Sequence, residues 1–453
     1  MPERLAIIGG DAAGMSAASQ ARRRDPDLEI VAFERGPYTS YSACGIPYWL
    51  GREFDDAGRL IVRSAEKHRE RGIDARVGHE VVAIDLGARE LTVRVTDGGG
   101  ARESVEPFDR LVIATGAEAV APPVPGADLV EPARTVDAAQ RLDARIAEGG
   151  HAVVVGAGYI GIEMAEAFVK RGLRVTLLEA APQVMAGTLD PDVARHVQEG
   201  AEAEGIDVRV GTPLEEVVHG DDGRPCAVVA GGERIAAEQV VVATGVKPAT
   251  RLAREAGLEV GASGALVVDE GQRVPGHDGV FAAGDCVESF HRILRKPVNI
   301  QLGTHANRQG RVAGVNATGG SLTFPGVLGT AVSRICAREV ARTGLSEREA
   351  REAGLDVVAT CVEATTRARY FPGSGPIWVK LVVERGTRRL LGGQLVGTEG
   401  AAKRVDVLAT AIWAEMTIDD LEDLDLAYAP PVAPVFDPVL QAAGAAVRAL
   451  DAG

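Results

Sequence analysis

The sequence predicts an α/β fold assembled from two parallel-sheet units and a separate α+β block, and two repeats inside the chain predict it. The first repeat is a strand, a glycine turn, a helix, a second strand and an acid. Residues 5–8 form an apolar strand, Gly9-Gly10-Asp11-Ala12-Ala13-Gly14 a turn, residues 15–24 a helix of small residues, and residues 29–33 a strand closed by Glu34. The same order returns at residues 151–155, Gly156-Ala157-Gly158-Tyr159-Ile160-Gly161, and a strand at 174–178 closed by Glu179. The second repeat is a pair of buried strands, residues 111–113 and 240–242, that end in Ala114-Thr115-Gly116 and Ala243-Thr244-Gly245. A glycine turn that opens a helix offers backbone N–H groups and the positive helix end to a pyrophosphate, and the acid accepts from ribose hydroxyls. Both units therefore read as Rossmann-like dinucleotide sites. The first departs from G-x-G-x-x-G at its middle glycine, where Asp11 brings a carboxylate close to phosphate unless it turns away.

A chain of 453 residues is too long for one core. Its formal charge of -15 argues against nucleic acid or an anionic membrane as the main partner, since both need basic patches. No apolar stretch reaches membrane-spanning length, and the N-terminus runs into a strand without a leader, so a soluble cytoplasmic protein is expected. Cys44, Cys226, Cys286, Cys336 and Cys361 are scattered, with neither C-x-x-C nor paired ligand spacing, which predicts neither a metal site nor a disulfide framework. Cys226, Cys336 and Cys361 are expected as buried small hydrophobes and Cys286 as a packed thiol at a helix start.

Proline-rich residues 121–126 read as the linker into the second unit and Lys247-Pro248 as the return. The expected division is residues 1–118 with 247–322, residues 119–246, and residues 323–453. Residues 279–283 form a strand that delivers Asp285 to the Gly284 corner, where a carboxylate suits a ribityl hydroxyl. Glu179 is followed by Ala180-Ala181-Pro182, with no arginine for a 2'-phosphate, so NADH is favoured with NADPH left open. Residues 379–383 and 390–395 read as antiparallel strands, followed by an amphipathic helix at 403–415. The chemistry centres on Ser40-Tyr41-Ser42-Ala43-Cys44-Gly45-Ile46-Pro47-Tyr48, which carries one thiol and no second cysteine within helical reach. If Cys44 is redox-active, its partner sulfur comes from outside the chain or the sulfur holds oxygen or another sulfur. A glycine turn running into a helix N-terminus is expected to lower its pKa.

Together these motifs resemble the flavoprotein pyridine nucleotide-disulfide oxidoreductases over essentially the whole chain and in the same order. The resemblance implies an FAD domain interrupted by an NAD(P)H domain, then the C-terminal interface domain of a homodimer. It implies FAD contacts from Gly9, Gly10, Ala13, Gly14, Glu34, Ala114, Thr115, Gly116, Gly284 and Asp285. It implies nicotinamide-nucleotide contacts from Gly156, Gly158, Tyr159, Ile160, Gly161, Glu179 and Gly245, with Glu163 near the nicotinamide.

Only Cys44 stands where most of these enzymes carry a cysteine pair, and no histidine follows His305. The chain thus resembles the single-cysteine branch: coenzyme A-disulfide reductases, NADH oxidases and peroxidases, and coenzyme A persulfide reductases. The oxidases and peroxidases place a histidine where Ala12 stands. The reductases are similar in their C-terminal Ala427-Tyr428-Ala429-Pro430-Pro431, and in Gln20 with Arg22 and Arg23, where substrate phosphates are expected. The resemblance therefore implies a reductase of a low-molecular-weight disulfide, coenzyme A disulfide or a similar disulfide or persulfide. Cys44 is its redox centre, Tyr428 from the partner subunit its general acid, and Ser16, Gln20, Arg23, Ser40 and His305 face the substrate. Bland readings stand beside these: His305 as a hydrogen-bonded structural histidine and Arg22-Arg23-Arg24 as a solvated helix end. Phe371, Ala43 and Val432 stand where the reductase pattern has tyrosine, asparagine and tyrosine, which removes three polar groups near the substrate. Two alternatives remain: an NADH oxidase or peroxidase working through a Cys44 sulfenate, and a non-catalytic flavoprotein redox sensor.

Overall fold

Short apolar runs that bury both faces make parallel strands, and here they make two parallel sheets. In the computed structural model, which describes residues 3–96 and 101–452, the first sheet runs Val280–Ala282, Arg110–Ile113, Arg4–Ile8, Glu29–Glu34 and Asp74–Val77 in spatial order. The second runs Ile206–Arg209, Arg174–Leu178, His151–Val155 and Gln239–Val242. In each sheet the strand that opens the glycine turn lies between the acid-terminated strand and the strand ending in Ala-Thr-Gly. Register sets Ile8 opposite Ile113 and Val155 opposite Val242, so the glycine turn and the Ala-Thr-Gly turn leave each sheet at one level.

The first helix starts earlier than expected, at Ala12, and spans Ala12–Arg24. Gly14 lies inside the helix because the place where its Cβ would sit is 1.9 Å from the Gly9 carbonyl oxygen. It serves close packing rather than turning. Strand Val246–Pro248 pairs antiparallel with Ala117–Ala119, so the outgoing and returning crossings lie side by side. The Thr115 hydroxyl donates to the Ala249 carbonyl at 2.7 Å and that of Thr244 to the Val120 carbonyl at 2.6 Å. Each Ala-Thr-Gly therefore fastens the opposite crossing.

The C-terminal part is an antiparallel sheet ordered Ala331–Ile335, Arg338–Gly344, Leu390–Gly397, Pro376–Glu384 and Val357–Thr365, packed on helices Ala401–Trp413 and Pro438–Asp451. The expected strands lie within it, and the expected helix begins two residues sooner. A buried lysine joins this sheet to the second unit: the Lys380 side chain is 4% exposed, and its Nζ is 2.8 Å from both Asp192 and Glu347. Beside it Trp378 stacks on His196 with centroids 3.7 Å apart.

Two thiol expectations fail. Cys226 and Cys361 are exposed, because each alternates outward on a strand that is solvated on one face, and only Cys336 of the three is buried. Cys286 is buried as expected, but in a turn rather than at a helix start; its Sγ donates to the Ala283 carbonyl at 3.4 Å. Among the described residues no helix is long and apolar enough to cross a membrane, and no cluster of three or more His, Cys, Asp or Glu could hold a metal.

Candidate functional site

Gly9 and Gly156 have φ of +107° and +100°, and a Cβ on either would lie 2.1 Å from the Ala114 or 2.5 Å from the Ala243 carbonyl oxygen. Only glycine can pass that close with that backbone. Gly161 repeats the role of Gly14, with a built Cβ 1.7 Å from the Gly156 oxygen. Across each turn sits the expected acid. Glu34 accepts from the Gly10 amide at 2.8 Å and the Gly36 amide at 2.7 Å; Glu179 accepts from Ala157 at 2.7 Å and Ala181 at 2.8 Å. Both carboxylates are thus fixed by two amides and keep lone pairs for a hydroxyl donor.

A Cβ on Gly158 would meet nothing within 4 Å, so the floor of the second turn is open to close approach. The donor set and the open floor fit a dinucleotide pyrophosphate. In the first turn Asp11 occupies that place and its carboxylate turns away: Oδ1 accepts from the Tyr41 amide at 3.2 Å. Burial, and then the charge of Glu34, push this carboxyl up to about 6.

The Gly284–Asp285 corner is held by two side chains that the sequence did not announce. Gln309 Oε1 accepts from the Gly284 amide at 3.0 Å, and Asn299 Nδ2 donates to the Asp285 carbonyl at 2.9 Å. Burial pushes the Asp285 carboxyl up. It stands near Asp11, which feels its charge.

The thiol segment lies on the first turn. The Ser40 amide donates to the Gly10 carbonyl at 3.0 Å, and the Val62 amide donates to the Ser40 carbonyl at 2.8 Å. Ser40 itself has φ of +47°, and its Oγ lies 3.0 Å from Nε2 of the fully buried His68, whose pKa burial lowers to about 4. Cys44 is exposed in the single tight turn Ala43–Gly45, which runs into helix Ile46–Leu50.

The expected low thiol pKa is corrected here. Although the residue is exposed, protein crowding its sulfur pushes the thiol up, and the charge of Glu163 pushes it further. A helix of five residues gives too small a dipole to reverse this. Glu163, on helix Tyr159–Lys170, accepts from Ser333 Oγ, and burial pushes its carboxyl up to about 7; the Tyr48 hydroxyl stands beside it and donates to the Arg334 carbonyl at 3.3 Å. Tyr48 is the last residue of the thiol string, where the sequence assigns it no role; Ser333 arrives from the distant C-terminal sheet and carries no local signal.

Other expected residues divide. Ser16 Oγ donates to Asn307 at 2.8 Å. Arg22 is fully engaged by the backbone carbonyls of Asp25, Pro26, Leu28 and Gly72, whereas exposed Arg23 has no hydrogen bond or ion pair among the described residues. His305 is buried on helix Gly303–Asn316, its Nδ1 lies 3.2 Å from the Ile300 carbonyl, and burial pushes its pKa down, which matches the structural reading. Tyr428 is 47% exposed, and Tyr370, Val432, Val435 and Phe436 of the same C-terminal part are more exposed still. Among the described residues of one protomer it makes no hydrogen bond to a site residue.

The family model described as pyridine nucleotide-disulphide oxidoreductase matches residues 3–310, and that of the same family's dimerisation domain matches residues 331–439. The chain is similar to an NAD(P)H coenzyme A polysulfide/persulfide reductase of Pyrococcus horikoshii, 37% identical over 97% of each chain. It is equally similar to an NADH oxidase of Methanocaldococcus jannaschii, 37% identical over 99% of each. Among solved structures, an NAD-dependent persulfide reductase from A. fulgidus aligns with a TM-score of 0.94 and 38% identity, covering 99% of this chain and 84% of that one.

Proposed function

The chain belongs to the pyridine nucleotide-disulphide oxidoreductase family, and we propose that it reduces a low-molecular-weight disulfide or persulfide of the coenzyme A type through Cys44. The observation that carries this reading is the thiol: exposed, alone on its segment, in a turn bonded to the first glycine turn. FAD and NAD(P)H follow from the family. When bound at the first turn, the flavin supplies two-electron transfer between nicotinamide and sulfur.

The chain's own residues do the rest. Residues 1–118 with 247–322 hold FAD through the amides at Gly9 to Gly14, Glu34 and Asp285; residues 119–246 hold the nicotinamide nucleotide through the second turn. Glu179, fixed by two amides and followed by Ala180-Ala181-Pro182 with no arginine among them, favours NADH over NADPH. Cys44 alternates between a mixed disulfide with the substrate thiol and a thiolate, so that one NADH and one proton turn one disulfide into two thiols. A proton on Glu163 removes one of the causes that hold the thiol up, which couples thiolate formation to proton uptake there. The exposed large apolar side chains of Tyr428, Val432, Val435 and Phe436, inside the matched dimerisation domain, support a homodimer in which Tyr428 of the partner subunit protonates the departing thiolate. Exposed Arg23, with Ser16, Gln20 and Ser40, faces the substrate's phosphates. The reading places the enzyme in the cytoplasm, where NADH is its reductant.

Cys44→Ser tests it. The variant is expected to keep reduction of its flavin by NADH and to lose disulfide turnover; turnover at the wild-type rate removes the thiol from the scheme. The likeness to an NADH oxidase favours a second reading, in which Cys44 carries a sulfenate. Intact mass as isolated separates the two. A thiol adduct released by dithiothreitol names the substrate, whereas one added oxygen gives precedence to the oxidase.

A further inference from the structure

Tyr41 and Ser40 connect the thiol turn to the rest of the molecule under strain. A serine at φ of +47° is uncommon and is kept only where its surroundings fix it. Besides the Arg63 N–H on the same Ser40 carbonyl and the Ser40 Oγ beside His68 Nε2, three bonds do so here: Ser40 N–H to the Gly10 carbonyl, Val62 N–H to the Ser40 carbonyl, and Tyr41 N–H to the Asp11 carboxylate. The first two are ordinary backbone bonds. The third exists only because the middle position of the nucleotide turn is an aspartate; a glycine there, as at Gly158, would leave the Tyr41 amide without this acceptor. From Tyr41 the path to the sulfur is short and braced, with the Ser42 amide donating to the Leu60 carbonyl at 2.8 Å and the Gly45 amide to the Ser42 carbonyl at 3.0 Å.

We propose that Asp11 is a positioning residue for the redox thiol: its carboxylate holds the Tyr41 amide and thereby fixes where the Cys44 turn lies over the first glycine turn. The proposal rests on the reading of Cys44 as the redox centre. Asp11 is the one acceptor among the three whose charge can change. The groups that face it are the carboxylates of Glu34 and Asp285 and the Tyr41 phenol, itself pushed up to about 12 and so neutral. With its own carboxyl raised to about 6, Asp11 is a charged and strong acceptor at neutral pH and a weaker one below that value.

The test uses the flavoprotein as purified, without substrate, as wild type, Asp11→Asn and Asp11→Gly. Deuterium uptake of the peptide spanning Tyr41, and alkylation of Cys44 by iodoacetamide, are compared among the three at one pH at a time, about pH 7.5 and about pH 5.5. Asp11→Gly is expected to exchange about tenfold faster at Tyr41 at the higher pH, the size of one lost charge-assisted bond, and to alter the alkylation rate with it. Asp11→Asn keeps an acceptor oxygen but neither the charge nor the titration, so it should exchange faster than wild type at the higher pH, though less than Asp11→Gly, and converge with wild type at the lower, where wild type loosens. Wild-type protection in Asp11→Gly overturns the proposal. Should Asp11→Gly fail to fold, coincidence of wild type and Asp11→Asn at both pH values overturns it equally. Neither result bears on whether Cys44 turns over a disulfide, which Cys44→Ser decides.

Discussion

The turns at residues 9–14 and 156–161 leave their sheets by the same means. In both, the first glycine takes positive φ beneath a carbonyl of the Ala-Thr-Gly turn, the last lets the helix close onto the first, and an acid across the turn is fixed by two amides. Of the three glycine positions of the motif, the middle one parts them: Gly158 faces open space, and Asp11 reaches back to bind the thiol segment. Positions set by backbone against backbone have one solution and recur. The position that faces outward is free to take a second task.

The positions held by backbone contact should show the largest effects. Gly14→Ala and Gly161→Ala each force a Cβ to within 2 Å of a backbone oxygen, at 1.9 and 1.7 Å, which no side-chain movement relieves. Each is expected to destabilise its unit by more than about 3 kcal/mol. Gly14→Ala should lose flavin on purification. Gly161→Ala should keep its flavin and lose its reduction by NADH, as flavin absorbance with and without NADH reports. Loss of flavin from Gly161→Ala would mean that the two units do not fold independently.

At the middle position of the first turn the expected effect is smaller and depends on pH. The Asp11 carboxyl is raised from 3.8 to about 6, so between those values the folded chain keeps a proton that the unfolded chain has released. Stability therefore falls as pH rises through that window, and the loss persists above it. A shift of this size corresponds to about 1–3 kcal/mol. Asp11→Asn should melt higher than wild type at about pH 8, with the gain shrinking toward zero below about pH 4. Parallel melting curves would mean that the ionised carboxylate costs the fold nothing. The ionised state is the costlier one for the whole fold and the stronger acceptor for Tyr41, and the two statements concern different equilibria.

The same division explains what could be read in advance. Gly9, Gly14, Gly156 and Gly161 were legible because backbone geometry leaves only glycine there, and Glu34, Glu179 and the paired Ala-Thr-Gly turns because each recurs at the same place in both units. The departure at Asp11 was also visible in the sequence, though its bond to Tyr41 was not, since that depends on how residues 40–45 fold back. Gln309, Asn299 and Ser333 act across long separations in sequence and leave no local pattern. The thiol's pKa was misjudged for the same reason: the helix after Cys44 is visible as a pattern, but the protein that crowds its sulfur, and then the charge of Glu163 from another unit, are brought there only by folding. Cys226 and Cys361 were placed in the core by residue type alone, when strand alternation decides which face each takes.

The smallest effect is expected at the middle of the second turn, and it has opposite signs for stability and binding. Gly158 has φ of -80°, which any L-residue adopts, and its Cβ would meet no protein atom within 4 Å. Gly158→Ala should therefore fold normally and gain about 0.4–1 kcal/mol, because the unfolded chain loses freedom. The open space is where the pyrophosphate must approach the backbone, so a methyl group there should raise the KM for NADH about tenfold, or about 1.4 kcal/mol. Flavin content should not change. Melting temperature and steady-state KM, measured on one preparation, check both signs together. An unchanged KM would mean that the nucleotide does not rest on this floor, and the parallel between the two turns would then extend only to how they pack and not to what they bind.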